Sequence, residues 1–385
     1  MTAVPAANSN AERLLAARRI VVKIGSALFV EQQTGTLDRA WLDALCEDVA
    51  NLVRSGKEVV IVSSGAVALG ARELGLDVKR ARLEDSQAAA ATGQILLAHA
   101  YQEMLRRFGI KTAQVLLTLD DSESRKRYLN ATRTLLTLIR HGVVPVVNEN
   151  DTVATQELRY GDNDRLAARV AQMVSAECLV ILSDVDGLYT ANPQADDSAE
   201  HIPEVTRLTA SMFEAAGGPG SSHGSGGMRT KLDAARIAMG AGCRMAIASG
   251  RVLRPLDALA RGALATWFLP SATPSAARKQ WIAGTLKPKG FIRVDAGAER
   301  ALRAGRSLLP AGVVEVGGEF ERGDAVRVLG PDRAELARGI VGYSADESRA
   351  IAGRRSNDIE AILGYRGRDE MIHRDDLVLI FEREV

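Results

Sequence analysis

Six short, mainly apolar runs punctuate the first two thirds of the chain: Ile20–Ile24, Val59–Val62, Thr112–Leu117, Val143–Val147, Leu179–Leu182 and Met245–Ala248. Runs that do not alternate with polar residues predict strands covered on both faces. Between them lie stretches with helical spacing, such as Leu37–Arg54, stopped by Gly56, and Arg125–His141, stopped by Gly142. This alternation predicts an α/β fold, a mainly parallel sheet sandwiched by helices.

The pattern changes near Ser271. Pro270, Pro274 and Pro288 break the chain, and the strands that follow are short and bounded by Gly, Pro and Asp: Gly290–Val294, Val313–Val316, Ala325–Val328, Gly339–Tyr343 and Leu377–Phe381. They predict a small β-rich module. The expected organisation is an N-terminal extension over 1–18, a main domain over 19–275, a linker over 276–288 and the module over 289–385.

Composition narrows the class. At 46% hydrophobic, 25% charged and a formal net charge of +1, nothing global draws the chain to nucleic acid or a membrane surface. The apolar stretch Ile20–Val30 is broken by Lys23 and Gly25 and is too short to span a bilayer. The first 18 residues hold no apolar core of a signal peptide, so a soluble cytoplasmic protein is expected. Cys46, Cys178 and Cys243 have no ligand or pairing spacing and read as buried free thiols. No metal site is expected from the chain.

In an open parallel sheet, ligands bind beyond the carboxyl ends of the strands. Small polar residues gather at those ends here: Gly25-Ser26, Ser63-Ser64-Gly65, Asn148-Glu149-Asn150-Asp151 and Ser183-Asp184. Lys23 stands inside an apolar strand, a costly place for a charge without an anionic partner. The glycine-rich stretch Gly217–Gly227 runs into Met228-Arg229-Thr230-Lys231 and a helix with Leu232, Ala235 and Met239 on one face. By composition it is a flexible loop. Equally, its backbone N–H groups, the helix N-terminus and Lys231 could cradle a phosphate. The GxxxxGK[ST] pattern of a P-loop is absent.

Taken in order, VVKIGSA (Val21–Ala27), VSSGAVALG (Val62–Gly70), NENDTVAT (Asn148–Thr155), YGDNDRLAA (Tyr160–Ala168), LSDVDGLYT (Leu182–Thr190) and GSGGMRTK (Gly224–Lys231) resemble the amino acid kinase family. SLLPAGVVEVGGEFERGD and SNDIEAILGY resemble the PUA domain that many members append. The resemblance runs from Arg19 to near the end. It implies ATP, with Mg2+ held mainly by its phosphates, as phosphoryl donor, and the γ-carboxylate of L-glutamate as acceptor in the first step of proline synthesis. Aspartate, acetylglutamate, carbamate and a nucleoside monophosphate are the competing acceptors within the family.

The resemblance assigns Lys23, Lys231 and Asp164 to catalysis, Asp164 orienting the two lysines. It assigns Ser64, Asp151 and Asn163 to the acceptor. Lys23, Ser183, Asp184 and the loop Ser225, Gly226, Gly227, Met228, Arg229, Thr230 and Lys231 fall to the nucleotide. It further implies proline as feedback inhibitor, a homo-oligomer and handover of an acyl phosphate to glutamyl phosphate reductase. Ser26 and Ser183 stand where relatives often carry Thr. His201 and His223 lie in no base-and-nucleophile arrangement and read as surface or loop residues.

A γ-carboxylate with an ordinary pKa of about 4.3 is already ionised near neutrality, so no general base is needed to make the nucleophile. An RNA-binding role for the module is disfavoured, because Lys289 onward holds 16 Lys and Arg against 18 Asp and Glu.

Overall fold

The computed structural model describes residues 8–31, 36–77, 80–153, 163–217, 227–284 and 287–380. The chain divides into two units, Met1–Pro274 and Ser275–Val385.

In the first unit, α1 (Asn8–Leu15) leads into β1 (Arg19–Ile24), α2 (Arg39–Arg54), β2 (Glu58–Ser63), α3 (Ala66–Glu73) and α4 (Leu83–Arg106). β3 (Lys111–Leu117), α5 (Leu119–Glu123), α6 (Arg125–Arg140), β4 (Val143–Glu149), α7 (Asn163–Met173) and β5 (Cys178–Ser183) follow. Short strands β6 (Leu188–Tyr189), β7 (His201–Ile202) and β8 (Glu204–Val205) precede α8 (Ala210–Ala215), α9 (Met228–Gly240), β9 (Arg244–Ser249), α10 (Pro255–Ala260) and β10 (Ala265–Phe268). The main sheet has the order β3-β4-β2-β1-β5-β9-β10-β8. Its ladders are parallel except β9–β10.

Pleat alternation in β1 sorts the two faces. Ile20, Val22 and Ile24 join a core with α2 and α4, whereas Val21 joins a second core with α7 and α9. Lys23, two residues after Val21, therefore points to the α7/α9 face. In β2 the same alternation sends Val59 and Ile61 one way and Val60 and Val62 the other.

Several expectations change. Residues 8–18, expected as part of an extension, pack on the main unit: Leu14 of α1 is in the core, and Asn10 accepts from Trp267 Nε1 at 2.8 Å and donates to the Ala263 carbonyl at 2.9 Å. The expected linker begins as helix α11 (Pro274–Gly284), because Pro274 opens a first turn that its fixed φ suits. β3 is an edge strand exposed along much of its length, so its apolar run is not covered on both faces. Among the described residues no helix is long and apolar enough to cross a membrane. The three cysteines are buried and free, and burial pushes the thiols of Cys46 and Cys178 up to about 12.

The second unit carries β11 (Gly290–Val294), α12 (Ala296–Arg303), β12 (Val313–Gly318), β13 (Ala325–Leu329), β14 (Glu335–Ile340), α13 (Ala345–Ile351), α14 (Ile359–Leu363) and β15 (Leu377–Leu379). Its five-stranded sheet runs β12-β11-β13-β14-β15 around its own core, with Ile292, Val326 and Val328 fully buried. The strand expected over Gly339–Tyr343 is instead Glu335–Ile340, where Leu336, Ala337 and Ile340 supply the buried residues.

Candidate active site

The carboxyl ends of β1, β2, β4 and β5 meet the amino ends of α7 and α9. Lys23 from β1, Asp164 from α7 and Lys231 from α9 are 6%, 0% and 3% exposed, so three charges are buried together. Lys23 Nζ lies 2.6 Å from Asp164 Oδ1 and Lys231 Nζ lies 3.3 Å from Oδ2. Burial alone would raise the Asp164 carboxyl, but Lys23 and Lys231 overcome it and hold the pKa down to about 2. Two buried ammonium groups thus share the Asp164 carboxylate.

Thr230 ties this triad to the glycine-rich loop. Its hydroxyl lies 2.9 Å from Asp164 Oδ2 and 2.8 Å from the Gly227 carbonyl. The Arg229 guanidinium stands 4.9 Å from the Phe213 ring centroid. The first turn of α9 leaves backbone N–H groups without intrahelical acceptors. Ser225, Gly226 and His223 lie outside the described residues.

A second polar group forms beside β2. Gly65 at φ +99 caps α3 and turns the chain sharply after Ser64. Asn163 Nδ2 donates to Ser64 Oγ at 2.9 Å, leaving the serine proton free for an acceptor. Asn163 Oδ1 is buried with no hydrogen-bond partner among the described residues. An orphaned acceptor in a cleft fits an incoming N–H donor. Asp151 opens a 3-10 turn over Asp151–Val153, and burial raises its carboxyl to about 6.

α4 stiffens this side. Tyr101 OH is 2.9 Å from Ser63 Oγ, and Gln94 Oε1 accepts from Asn148 Nδ2 at 2.7 Å. Asn148 Oδ1 in turn accepts from the Glu149 N–H at 2.9 Å. The close approach comes from two glycines. A Cβ on Gly93 would lie 1.8 Å from the Ala66 carbonyl oxygen, and one on Gly70 would lie 1.8 Å from that of Ala89.

At the end of β5, Ser183 Oγ donates to Asp184 Oδ1 at 3.0 Å. His201 sits half-buried in the β6–β7 hairpin, edge-on to Tyr189 with 5.2 Å between centroids. Among the described residues no group of three or more His, Cys, Asp or Glu gathers to hold a metal. Asp164 has both oxygens against lysine ammonium groups, which makes this carboxylate a poor metal ligand.

Residues 18–249 match the amino acid kinase family, and residues 290–363 match the PUA domain. The chain is 62% identical over 366 residues to the glutamate 5-kinase of Paramagnetospirillum magneticum, covering 95% of this chain and 99% of that one. The chain belongs to the amino acid kinase family. Glutamate 5-kinases of Rhodospirillum rubrum and Agrobacterium fabrum are 59% and 57% identical, over 93% and 94% of this chain and 96% and 92% of theirs. The amino acid kinase portion contains the lysine–aspartate triad, the Ser64–Asn163 pair and Asp184. Sequence reasoning missed Thr230 as the link between loop and triad, and missed Gln94 and Tyr101 altogether. Their one signal was a polar side chain recurring on the apolar face of a long helix.

Proposed function

We infer that this chain is an enzyme that transfers the γ-phosphoryl group of ATP to the γ-carboxylate of L-glutamate, the step that opens proline synthesis. The observation that carries this reading is the pair of buried ammonium groups, Lys23 and Lys231, gathered on Asp164 beside the Ser64–Asn163 pair. Identity above 55% to glutamate 5-kinases along nearly the whole chain supports the same acceptor.

On this reading the glutamate α-ammonium meets Asp151 and Asn163 Oδ1, and Ser64 donates its hydroxyl to a carboxylate. Lys23 reaches the nucleotide phosphates, helped by the turn at Gly25 and Ser26. Lys231 and the first N–H groups of α9 meet the transferring phosphoryl group. Ser183 and Asp184 border the nucleotide, as does the loop from Ser225 to Thr230. Thr230 contributes chiefly by holding Gly227 and Asp164 in place.

A carboxylate oxygen attacks the γ-phosphorus as the bond to the bridging oxygen breaks, and ADP departs. No proton has to move, which accords with a triad built from lysines and a strongly ionised Asp164. Positioning and charge neutralisation supply the rate. Mg2+ is proposed to arrive on the nucleotide phosphates, where it would offset part of their charge. The acyl phosphate product hydrolyses readily, so a reductase that consumes it is proposed as partner. Proline inhibition, self-association and a cytoplasmic location belong to the same proposal.

ATP consumption across a panel of amino acids, with hydroxylamine trapping of the product, tests the acceptor. Glutamate-dependent hydroxamate is expected; trapping only with aspartate or acetylglutamate would overturn the reading. Ser64→Ala should raise KM for glutamate about tenfold and leave that for ATP near wild type, as loss of one hydrogen bond to a charged group predicts. Equal changes for both substrates would remove Ser64 from the acceptor site.

The pH dependence has a definite sign. Ionised Asp151 binds the ammonium and the protonated form does not, so its raised pKa of about 6 lies within reach of experiment. kcat/KM for glutamate should fall as pH drops through about 6, approaching tenfold per unit below it. A flat profile between pH 5 and 8 would take Asp151 out of ammonium binding.

A further inference from the structure

One segment beside the nucleotide side has a support that the chemistry above does not use. After β9 the chain passes through Gly250-Arg251-Val252-Leu253-Arg254 into α10. Gly250 N–H donates to the Ser183 carbonyl at 2.7 Å, and Arg251 Nε donates to the Asp184 carbonyl at 3.0 Å. The backbone on which Ser183 and Asp184 ride is thus tied to this segment at two successive residues.

The segment is held from α2. Trp41, only 3% exposed, donates its Nε1 proton to the Gly250 carbonyl at 2.7 Å. Its ring stacks on Phe29 with centroids 5.9 Å apart, directly behind the turn that follows Gly25 and Ser26. A Cβ on Gly250 would come within 2.3 Å of Leu28 in that same turn. Two helical turns along, buried Asp48 accepts from Arg254 Nε at 3.1 Å and from the N–H groups of Leu256 and Asp257 at 2.9 and 3.1 Å. Arg254 adopts φ +57, a left-handed conformation that is costly for a side-chain-bearing residue and persists only where its surroundings enforce it.

We propose that Trp41 and Asp48 are positioning residues for the nucleotide: by gripping both ends of the Gly250–Asp257 segment, they fix the Ser183–Asp184 backbone. The proposal rests on the reading of Ser183 and Asp184 as nucleotide residues. Neither helix residue touches substrate; each acts through the segment. Core packing alone would need a hydrophobic side chain at 48, whereas a buried carboxylate with three donors fixes the path of a loop.

The test is steady-state kinetics of the full chain, with ATP and glutamate each varied, on Trp41→Phe and Asp48→Asn. Trp41→Phe keeps an aromatic ring against Phe29 while removing the N–H donor and part of the indole, a smaller disturbance to the core than loss of the ring, so it preserves the fold if Asp48→Asn does not. KM for ATP is expected to rise about tenfold for Asp48→Asn, the worth of a buried hydrogen bond that includes a charged group, and about threefold to tenfold for Trp41→Phe, whose bond joins neutral groups, with KM for glutamate within twofold in both. Cys46→Ala, in the core on the same helix, is the stability control and should lower the melting temperature without moving KM for ATP. If Trp41→Phe and Asp48→Asn behave like Cys46→Ala, their role is structural and the proposal falls. Asp184→Ala tests the underlying reading by itself. An unchanged KM for ATP there, with raised values in the α2 variants, would overturn the route through Asp184.

Discussion

Lys231→Ala is expected to lower kcat by about 10²–10³ while leaving both KM values within a few fold, the usual cost of removing one preorganised charge from a phosphoryl-transfer site. The fold should survive the change. Asp164 keeps Lys23 at 2.6 Å, so the buried carboxylate retains an ion-pair partner. What disappears is the cation on the face where α9 begins, and with it neutralisation of the charge that builds as the γ-phosphoryl group moves. Steady-state rates by hydroxylamine trapping, with circular dichroism to confirm folding, decide it. A variant with near-native turnover would remove Lys231 from the chemistry, and one that loses ATP binding would make it a ground-state contact.

The second large effect is steric. Gly93→Ala would drive a methyl group to 1.8 Å from the Ala66 carbonyl oxygen, a backbone atom that no rotamer change can clear. α3 and α4 must separate, at a cost of about 3 kcal/mol or more, beyond the ordinary range for an added methylene. For a domain of this size that is on the order of a 10 °C fall in melting temperature. Separation also lifts Gln94 from Asn148 and Tyr101 from Ser63, so KM for glutamate should rise in whatever protein folds. Gly240→Ala is the matched control. Nothing lies within 4 Å of its Cβ, and alanine there should be neutral or stabilising by up to about 1 kcal/mol. Similar melting shifts in the two variants would show that the glycine crossing is not under the strain its geometry implies.

Much of the fold was legible because strands buried on both faces need apolar residues throughout, as five of the six do, while the exposed edge strand β3 was found by a run that is mainly apolar all the same. All six main strands of the first unit fall within a residue or two of their expected limits. β10 was missed because Ala265–Phe268 is four residues long and includes Thr266, whose hydroxyl binds the Ile202 carbonyl at 2.6 Å rather than water. α11 was missed because Pro274, with Pro270 and Pro288 on either side, read as loop punctuation, although a proline can open a helix as well as end one. In the site, Lys23 declared itself as a charge in an apolar strand. Asp164 and Asn163 did not, since Gly-Asp-Asn-Asp is ordinary turn chemistry until the register of the other motifs is known. Gln94, Tyr101, Trp41 and Asp48 are helix residues whose partners lie far away along the chain, and no local pattern links them.

Lys23 has one more consequence, for how the sheet assembles. Both faces of β1 are lined by apolar cores, so hydrophobicity hardly distinguishes the native pairing from one displaced by a single residue. The lysine does. In the native register it stands between Val62 and Ile181, aimed at Asp164; displaced by one, its ammonium would turn into the aliphatic layer under α2 and α4. The side chain proposed to receive the phosphates also penalises the misaligned sheet, so substituting it with an aliphatic residue is expected to weaken the fidelity of folding as well as the catalyst.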